Sequence, residues 1–505
     1  MFALGIDVGS TNVKAALVGA DGVLEGVASR ALTTTTAAES VTQDVDQIWT
    51  AVCDVVAELT AAHPSVAARL VAIGVCSQYS SIVPVDADGR ALGPMKMYLD
   101  SRGADRCWAI LGEHPDAFDT WVARHGIPPI GAGLSLSHLL HHQFDEPEVH
   151  RRTTAYLEAM DLVNLRLTGK VAATQCTMFA SQLIDNRTVG TTSYDQDLLR
   201  MSGVDPDRLP PLIDVDGVVG EVAPDVAARL GLPPGVVVRA GMNDTHAGAF
   251  ATGALRRSDR LGLVVGTTGV LVQAMPGHQV DLDHEVLSMP APLPGRHVVM
   301  AENGIAGRAV ERALEVLSPG PATTDERFAE LERALGESVA GAGGLLFLPW
   351  LAGSMSPSAS TEMRGGYLGM SLQSERQDLL RATVEGVARN LRWLLPAVTQ
   401  LCGTAATEVV FAGGGARSDG VARVLADVLG LPVLVADRPE VAAARAVGQV
   451  ALARALGTDP TLSETPTVRR HEPDPSTRAV HDRLQPLFEA AFEANRAICE
   501  ALGHE

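Results

Sequence analysis

GIDVGSTNVK, residues 5–14, decides how the rest of this chain is read. Apolar Leu4, Ile6 and Val8 alternate before a Gly-Ser-Thr turn, and Val13, Ala15 and Leu17 alternate after it. Two such runs around small turn residues predict a β-hairpin. At its tip, Gly9 lets a ligand come close to the backbone where a Cβ would clash. The backbone N–H groups and hydroxyls of Ser10 and Thr11 converge there, which suits a polyphosphate. Asp7 sets one carboxylate beside the tip, a place fit for a hydrated magnesium ion. Lys14 lies on the outgoing strand. An ordinary surface hairpin has the same turn chemistry, so this stretch alone supports both readings.

A second copy tips the balance. VGSTNV at residues 8–13 recurs as VGTTGV at 265–270, again between apolar runs. Self-similarity at half the chain length suggests two halves built alike. Each would offer a phosphate-sized hairpin to a shared cleft. In this pairing Val264 stands for Asp7 and Leu271 for Lys14. The shared part would hold phosphate, and the part found only in the first copy would handle metal and charge.

Bulk properties agree with a large globular protein. At 505 residues the chain is too long for one core, so two or three domains are expected. A net charge of −20 and a pI near 5.1 argue against nucleic acid or an anionic membrane as partner. An anionic ligand must then be met by local features. The cysteines are scattered without a C-x-x-C pair and sit beside apolar residues, as small buried side chains do in a reducing compartment. No secretory signal and no membrane-length apolar run is read. The expected compartment is the cytoplasm.

Along the chain, strands alternate with helices, the pattern of an α/β fold in which ligands gather at strand ends. Asp46–Leu59 has helical spacing, and Leu70–Cys76 is a strand-like run ending in the polar cluster Gln78, Tyr79, Ser80 and Ser81. On composition alone that cluster is a plain loop. Asp100 and Arg102 in MYLDSR would face one side of an extended segment, either as a surface ion pair or as partners for a polyhydroxy ligand. Residues 103–160 are dense in histidine, including His138, His141 and His142. Without carboxylate or thiol partners at ligand spacing, they read as solvated helix-face residues rather than a metal site.

Val236–Ala240, then Gly241-Met242-Asn243-Asp244, then an Ala-rich run reads as strand, turn and helix. Asp244 lies where the helix begins. It is either the N-cap or a general base at a cleft mouth, kept ionised by the helix terminus. Asn243 is able to supply the cap instead. Ser374–Leu395 is the clearest helix, with a Ser374/Gln377 capping-box pattern and Pro396 as its stop. Val409–Phe411 runs into Gly413-Gly414-Gly415-Ala416-Arg417-Ser418 and a further helix, a strand-to-helix turn suited to a nucleotide. It is not the dinucleotide fingerprint, because Ser418 stands where the third glycine belongs. Residues 457–475 read as a surface linker and Ser476–Leu502 as a final helix.

GIDVGSTNVK, RAGMNDTHAG, VVGTTGV and FAGGGARSDG, in that order, resemble the FGGY family of carbohydrate kinases within the actin-like ATPase superfamily. GGYLGMSLQSERQDLLRATVEG at 365–386 fits that family's C-terminal signature throughout. The resemblance implies two ribonuclease-H-like domains, 1–253 and 254–456, with ATP and sugar in the cleft between them. Residues 457–505 would be a linker and a helix packed on both. It implies that Asp244 is catalytic and that Asp7 lies near Mg2+. It places Gly9, Ser10, Thr11 and Lys14 at the first phosphate site, and Gly266, Thr267 and Thr268 at the second. Gly413, Gly414, Gly415, Ala416 and Ser418 would take the adenosine. Gln78 and Asp100 would line the sugar pocket, with Tyr79, Ser80, Arg102 and Asn243 around it.

Within the family the chain is most similar to the xylulokinase branch. The implied reaction is ATP-dependent phosphorylation of a ketopentose or related polyol. A kinase of another sugar, such as ribulose, erythritol or glycerol, is the alternative, as is a non-transferring ATPase switch or sugar sensor. Gln78-Tyr79-Ser80 stands where that branch has Gln-Met-His, Ser354-Met355 replaces Glu-Arg, and His138 replaces a Lys. These departures point to an altered substrate preference. Family members are often homodimers.

Overall fold

The structure, a computed structural model, describes residues 1–318 and 323–502. The predicted hairpin is formed by β1 (Phe2–Val8) and β2 (Asn12–Gly19), followed by β3 (Leu24–Ala31) and helix α1 (Val45–Ala62). Then come β4 (Leu70–Ser77), β5 (Val218–Glu221), β6 (Val237–Arg239), β7 (Met242–Asn243) and α2 (Asp244–Ala251). Strand order across this sheet is β5-β6-β4-β1-β2-β3, with β7 also paired to β4.

The second half repeats the plan. It holds β8 (Arg260–Val265), β9 (Gly269–Met275), β10 (His297–Asn303), α3 (Arg376–Cys402) and β11 (Glu408–Ala412). These are followed by α4 (Asp419–Leu429), β12 (Val433–Ala436), α5 (Ala442–Leu456), β13 (Thr467–His471) and α6 (Arg478–Leu502). The order is β13-β12-β11-β8-β9-β10, with two further strands, Val280–Asp281 and Val286–Pro290, beyond β10. In each sheet the first three strands are antiparallel, the next two join in parallel, and the edge strand is antiparallel. The two halves are therefore one topology used twice.

Strand sequence explains the layering. Leu4, Ile6 and Val8 point to one face, where they join Ile48, Val52, Val55 and Leu59 of α1. Ala3, Ala16 and Ala72 point to the other face, against Ala444, Ala451 and Leu452 of α5. That face is lined by very small residues because the α5 backbone lies almost on the sheet. A Cβ on Gly5 would fall 1.8 Å from the Ala444 carbonyl oxygen, and one on Gly74 2.4 Å from that of Val447. Helix α2 comes from the first half, yet Ala247, Ala249 and Phe250 join Val272 of the second sheet and Val447 and Val450 of α5 in one cluster. Each half thus lends a helix to the seam between the sheets.

The two hairpins differ by one residue. Val8 pairs with Val13 across a four-residue tip, whereas Val265 pairs with Gly269 across three. Lys14 lies opposite Asp7, and the residue opposite Val264 is Val270. Leu271, matched to Lys14 by sequence alone, faces the core beneath α3 instead.

Three other expectations change. Helix α3 begins one residue later than predicted, with Glu375 and Asp378 forming the capping box. It passes through Pro396 to Cys402, because Ala397, Val398, Leu401 and Cys402 continue the buried stripe. Within the segment read as a linker, residues 467–471 form β13, the edge of the second sheet. Between β4 and β5 the first half also carries a large insertion that sequence did not separate. Three of its strands join two that precede α1 in a small sheet, which runs Thr34–Ala37, Ser40–Gln43, Met95–Lys96, Ile82–Val85 and Ala155–Glu158 in spatial order. Its helices have their own core around Trp121, Leu136, Leu139 and Leu198. The cysteines are all free, and all but Cys53 are buried, as expected. Among the described residues no helix is long and apolar enough to cross a membrane.

The missing Cβ at Gly5 is tested by Gly5→Ala, which should destabilise by at least about 1–3 kcal/mol, since backbone atoms must move. Gly112→Ala, on an exposed helix with nothing near its Cβ, is the control and should be neutral or slightly stabilising. Urea unfolding of the two variants reads the difference.

Candidate active site

Three parallel strand ends bring the first set of candidate residues together. β4 lies between β1 and β7, with Asp7 beside Cys76, Val8 beside Ser77 and Asn243 also beside Ser77. The hairpin tip, the Gln78–Ser80 loop and the start of α2 therefore leave the sheet side by side. The Gln78 N–H donates to the Val8 carbonyl at 3.0 Å, tying the loop to the hairpin. Gly9 N–H donates to Asn12 O at 3.0 Å and closes the tip, leaving Thr11 exposed.

Asn243 and Asp244 divide the two roles that the sequence left open. Asn243 caps α2, its Oδ1 accepting from His246 N–H at 2.9 Å. Asp244 is left free of capping, and only the Thr245 N–H bonds its carboxylate, at 2.8 Å. Its side chain is open to solvent, yet protein surrounds it on enough sides that desolvation leads a rise in its pKa to about 7. Asp7 and Glu302 push in the same direction as burial. The expectation of a carboxylate kept ionised by the helix terminus is thus overturned. Burial and like charges outweigh the Thr245 N–H. Burial also raises Asp7, against the opposing Lys14.

Sequence reasoning passed over Glu302. It stands near the end of β10, opposite Val270 of β9, and burial raises its pKa. It connects the halves electrostatically, acting on Asp244, Tyr79 and Tyr98. The Tyr79 hydroxyl lies 3.6 Å from Met300 Sδ of the same strand, so the loop of the first half touches the sheet of the second. A lone acid closing the apolar run Val298–Ala301 was the available signal.

The second set also gathers at adjacent strand ends. β8 runs beside β11, bringing Gly266–Thr268 next to Gly413. Gly413 has φ of 87°, and a Cβ there would fall 2.5 Å from Val265 O, so only glycine fits between loop and hairpin. Gly414 and Gly415 follow in a single helical turn with buried Ala416. Ser418 caps α4 through Val421 N–H, and its hydroxyl donates to Glu332. That hydroxyl is engaged in holding the loop.

On the insertion side, Asp100 is fully buried and clasped by Arg102, with Nη2–Oδ2 at 2.6 Å and Nε–Oδ1 at 3.0 Å. Val41 N–H adds a third bond, at 3.1 Å. The pair is a half-buried clasp rather than a surface bridge, with Arg102 still partly exposed. His138 and His142 are buried, not solvated, because the Ser135–Asp145 helix is packed into the insertion. Burial lowers their pKa values to about 3 and about 4. Glu146 joins this group, 2.6 Å from His142 Nδ1 and 2.9 Å from buried Lys96 Nζ. Ser80 has φ of 59° and a buried hydroxyl without a protein partner, and Gln78 Oε1 likewise has none.

One topology used twice, with loop-bearing strand ends in each half and a lone acid at a helix start, is the architecture of a two-domain carbohydrate phosphotransferase. The model of the FGGY carbohydrate kinase N-terminal domain matches residues 2–251, and that of the C-terminal domain matches 210–455. The chain belongs to the FGGY family of carbohydrate kinases. It is 26% identical to a xylulose kinase of Escherichia coli over 97% of this chain and 98% of that protein. It is 23% identical to a gluconokinase of Bacillus subtilis, over 96% and 94%. Among solved structures, xylulose kinase from Rhodospirillum rubrum superposes with a TM-score of 0.85 at 26% identity, covering 99% of this chain and all of that one. Kinases of this family use ATP to phosphorylate a sugar hydroxyl.

Asp244 in the free protein should take up its proton near pH 7, followed by the carboxyl carbon shift in an NMR titration. Asp7→Asn removes a neighbouring negative charge, so the midpoint should move down. An unchanged midpoint would show that Asp7 does not act on Asp244.

Proposed function

We propose that this kinase phosphorylates a hydroxyl of a ketopentose, with D-xylulose the first substrate to try, and that Asp244 is its catalytic base. The observation that carries the catalytic part is the shared strand end. An uncapped Asp244 starts its helix beside the Gln78–Ser80 loop, with the phosphate hairpin on the other side of β4. An acceptor lying against Gln78, Tyr79 and Asn243 would present its hydroxyl to Asp244 and to the phosphate held by the hairpins.

Phosphoryl transfer requires mainly alignment and charge neutralisation. Asp244 would orient the hydroxyl and take its proton as the bond to phosphorus forms. N–H groups and hydroxyls at exposed Thr11 and Thr267 and at half-buried Thr268 would hold the phosphates, with Lys14 adding positive charge. Gly413–Ala416 would take the adenosine. Good alignment is worth up to ~7–11 kcal/mol of barrier, more than any single hydrogen bond.

Asp7 suits a magnesium ion. It is a hard oxygen donor at a strand end, raised by burial and only weakly bonded, to the Cys76 thiol at 3.7 Å. Among the described residues no group of three or more acidic, histidine or cysteine side chains forms a metal nest. A magnesium held by one carboxylate, phosphate and water asks for none. That ion would neutralise phosphate charge when bound.

Xylulose kinases and gluconokinases are about equally similar to this chain, and Tyr79-Ser80 departs from the xylulokinase pattern. A panel of D-xylulose, D-ribulose, gluconate, glycerol and erythritol in an ADP-release assay decides between them. Faster turnover of gluconate, glycerol or erythritol than of both D-xylulose and D-ribulose would overturn the ketopentose assignment. Asp244→Asn should keep ATP binding and lose at least about 1000-fold in kcat, a loss of the size expected when base and orientation go together. Turnover near wild type would remove Asp244 from the role.

A further inference from the structure

Gln43 is buried, at 1% exposure, at the end of the strand Ser40–Gln43 in the small sheet. Its Nε2 donates to the Ser10 carbonyl at 2.6 Å and to Thr34 Oγ1 at 3.1 Å. Its Oε1 accepts from Gln78 Nε2 at 3.1 Å. Gln78 is 4% exposed, and its own Oε1 has no protein partner. The phosphate hairpin and the sugar-side loop are therefore joined through one amide that belongs to neither.

The direction of this chain of bonds is forced. A backbone carbonyl only accepts, so the Gln43 amide must turn its NH2 to Ser10. Its oxygen is then left for Gln78, which must turn its NH2 to Gln43. Gln78 consequently keeps a bare acceptor for a ligand. Reversing either amide would set two oxygens, or two NH2 groups, against each other.

We propose that Gln43 is a positioning residue. It fixes Gln78 so that a sugar hydroxyl, a donor, is required at this point, and it ties that hydroxyl to the phosphate tip through Ser10. The proposal rests on the Gln78 loop being the sugar side of the cleft, as read above. A buried acceptor without a partner costs free energy until a donor arrives. The arriving hydroxyl would stiffen Gln78, Gln43 and the Ser10 carbonyl together.

The test is a double-mutant cycle with Gln43→Met, Gln78→Met and both together. It is run on whichever panel sugar the wild-type enzyme phosphorylates fastest, so a failure of the D-xylulose assignment leaves it intact. Each single change should raise sugar KM about tenfold, the size of one lost buried hydrogen bond, with kcat less affected. The double variant should be no worse than Gln78→Met alone. The dissociation constant of ATP, measured with and without sugar, should lose its sugar dependence in Gln43→Met. Thr34→Val, which removes one neighbour of Gln43 and leaves the Ser10 and Gln78 bonds, should behave as wild type and controls for simple destabilisation. Multiplying KM effects, or a sugar dependence of ATP binding that persists in Gln43→Met, would overturn the proposal. If Gln43→Met does not fold, Gln43→Glu replaces it, since its carboxylate faces the Ser10 carbonyl without an N–H. Unchanged sugar KM and ATP coupling in that variant would equally overturn it.

Discussion

Everything at the cleft depends on how closely two helices lie against two sheets. α5 touches the first sheet with backbone against backbone, which the absent side chains at Gly5 and Gly74 permit. α2 crosses in the other direction and joins the same apolar cluster. Because α2 also begins at Asp244, the contact that joins the halves positions the candidate base. The residue that starts the helix cannot shift without disturbing the seam, and the seam cannot slip without moving the carboxylate.

Much of this was legible because it is local. The hairpin, its half-chain repeat, the strand–turn–helix at Asn243–Asp244 and the glycine turn at 413 each lie within about ten residues. Asn243 over Asp244 as cap was one of two open readings, and only coordinates could choose. What stayed hidden depends on residues distant in sequence. Gln43 meets Ser10 and Gln78 through three separate elements. Glu302 matters because β10 faces α2, and the buried histidines because the insertion folds around them. Pro396 was misread because a local stop signal yields to a long apolar stripe that continues beyond it.

The electrostatics of the cleft are milder than the composition suggests. The chain carries a net charge of −20 and places Asp7, Asp244 and Glu302 about one opening. Burial raises the pKa of all three, and at Asp244 to about 7, so this carboxylate is partly protonated near neutrality and the group carries less negative charge than three free carboxylates would. Hairpin N–H groups and Lys14 then meet an anion in a place where the global field is partly offset.

The extra residue in the first tip has an evolutionary and engineering side. Residues that pair directly across a hairpin share a face, so a tip can lengthen without turning the strands that leave it. Val8 with Val13 closes the longer tip, and Val265 with Gly269 the shorter, at the same place in each sheet. The added residue shifts the sequence match, not the facing: the partner of Leu271 in the first half is Ala15, paired with Ile6 as Leu271 is with Leu263. A recombination that exchanged whole tips between the halves would leave both outgoing strands in register.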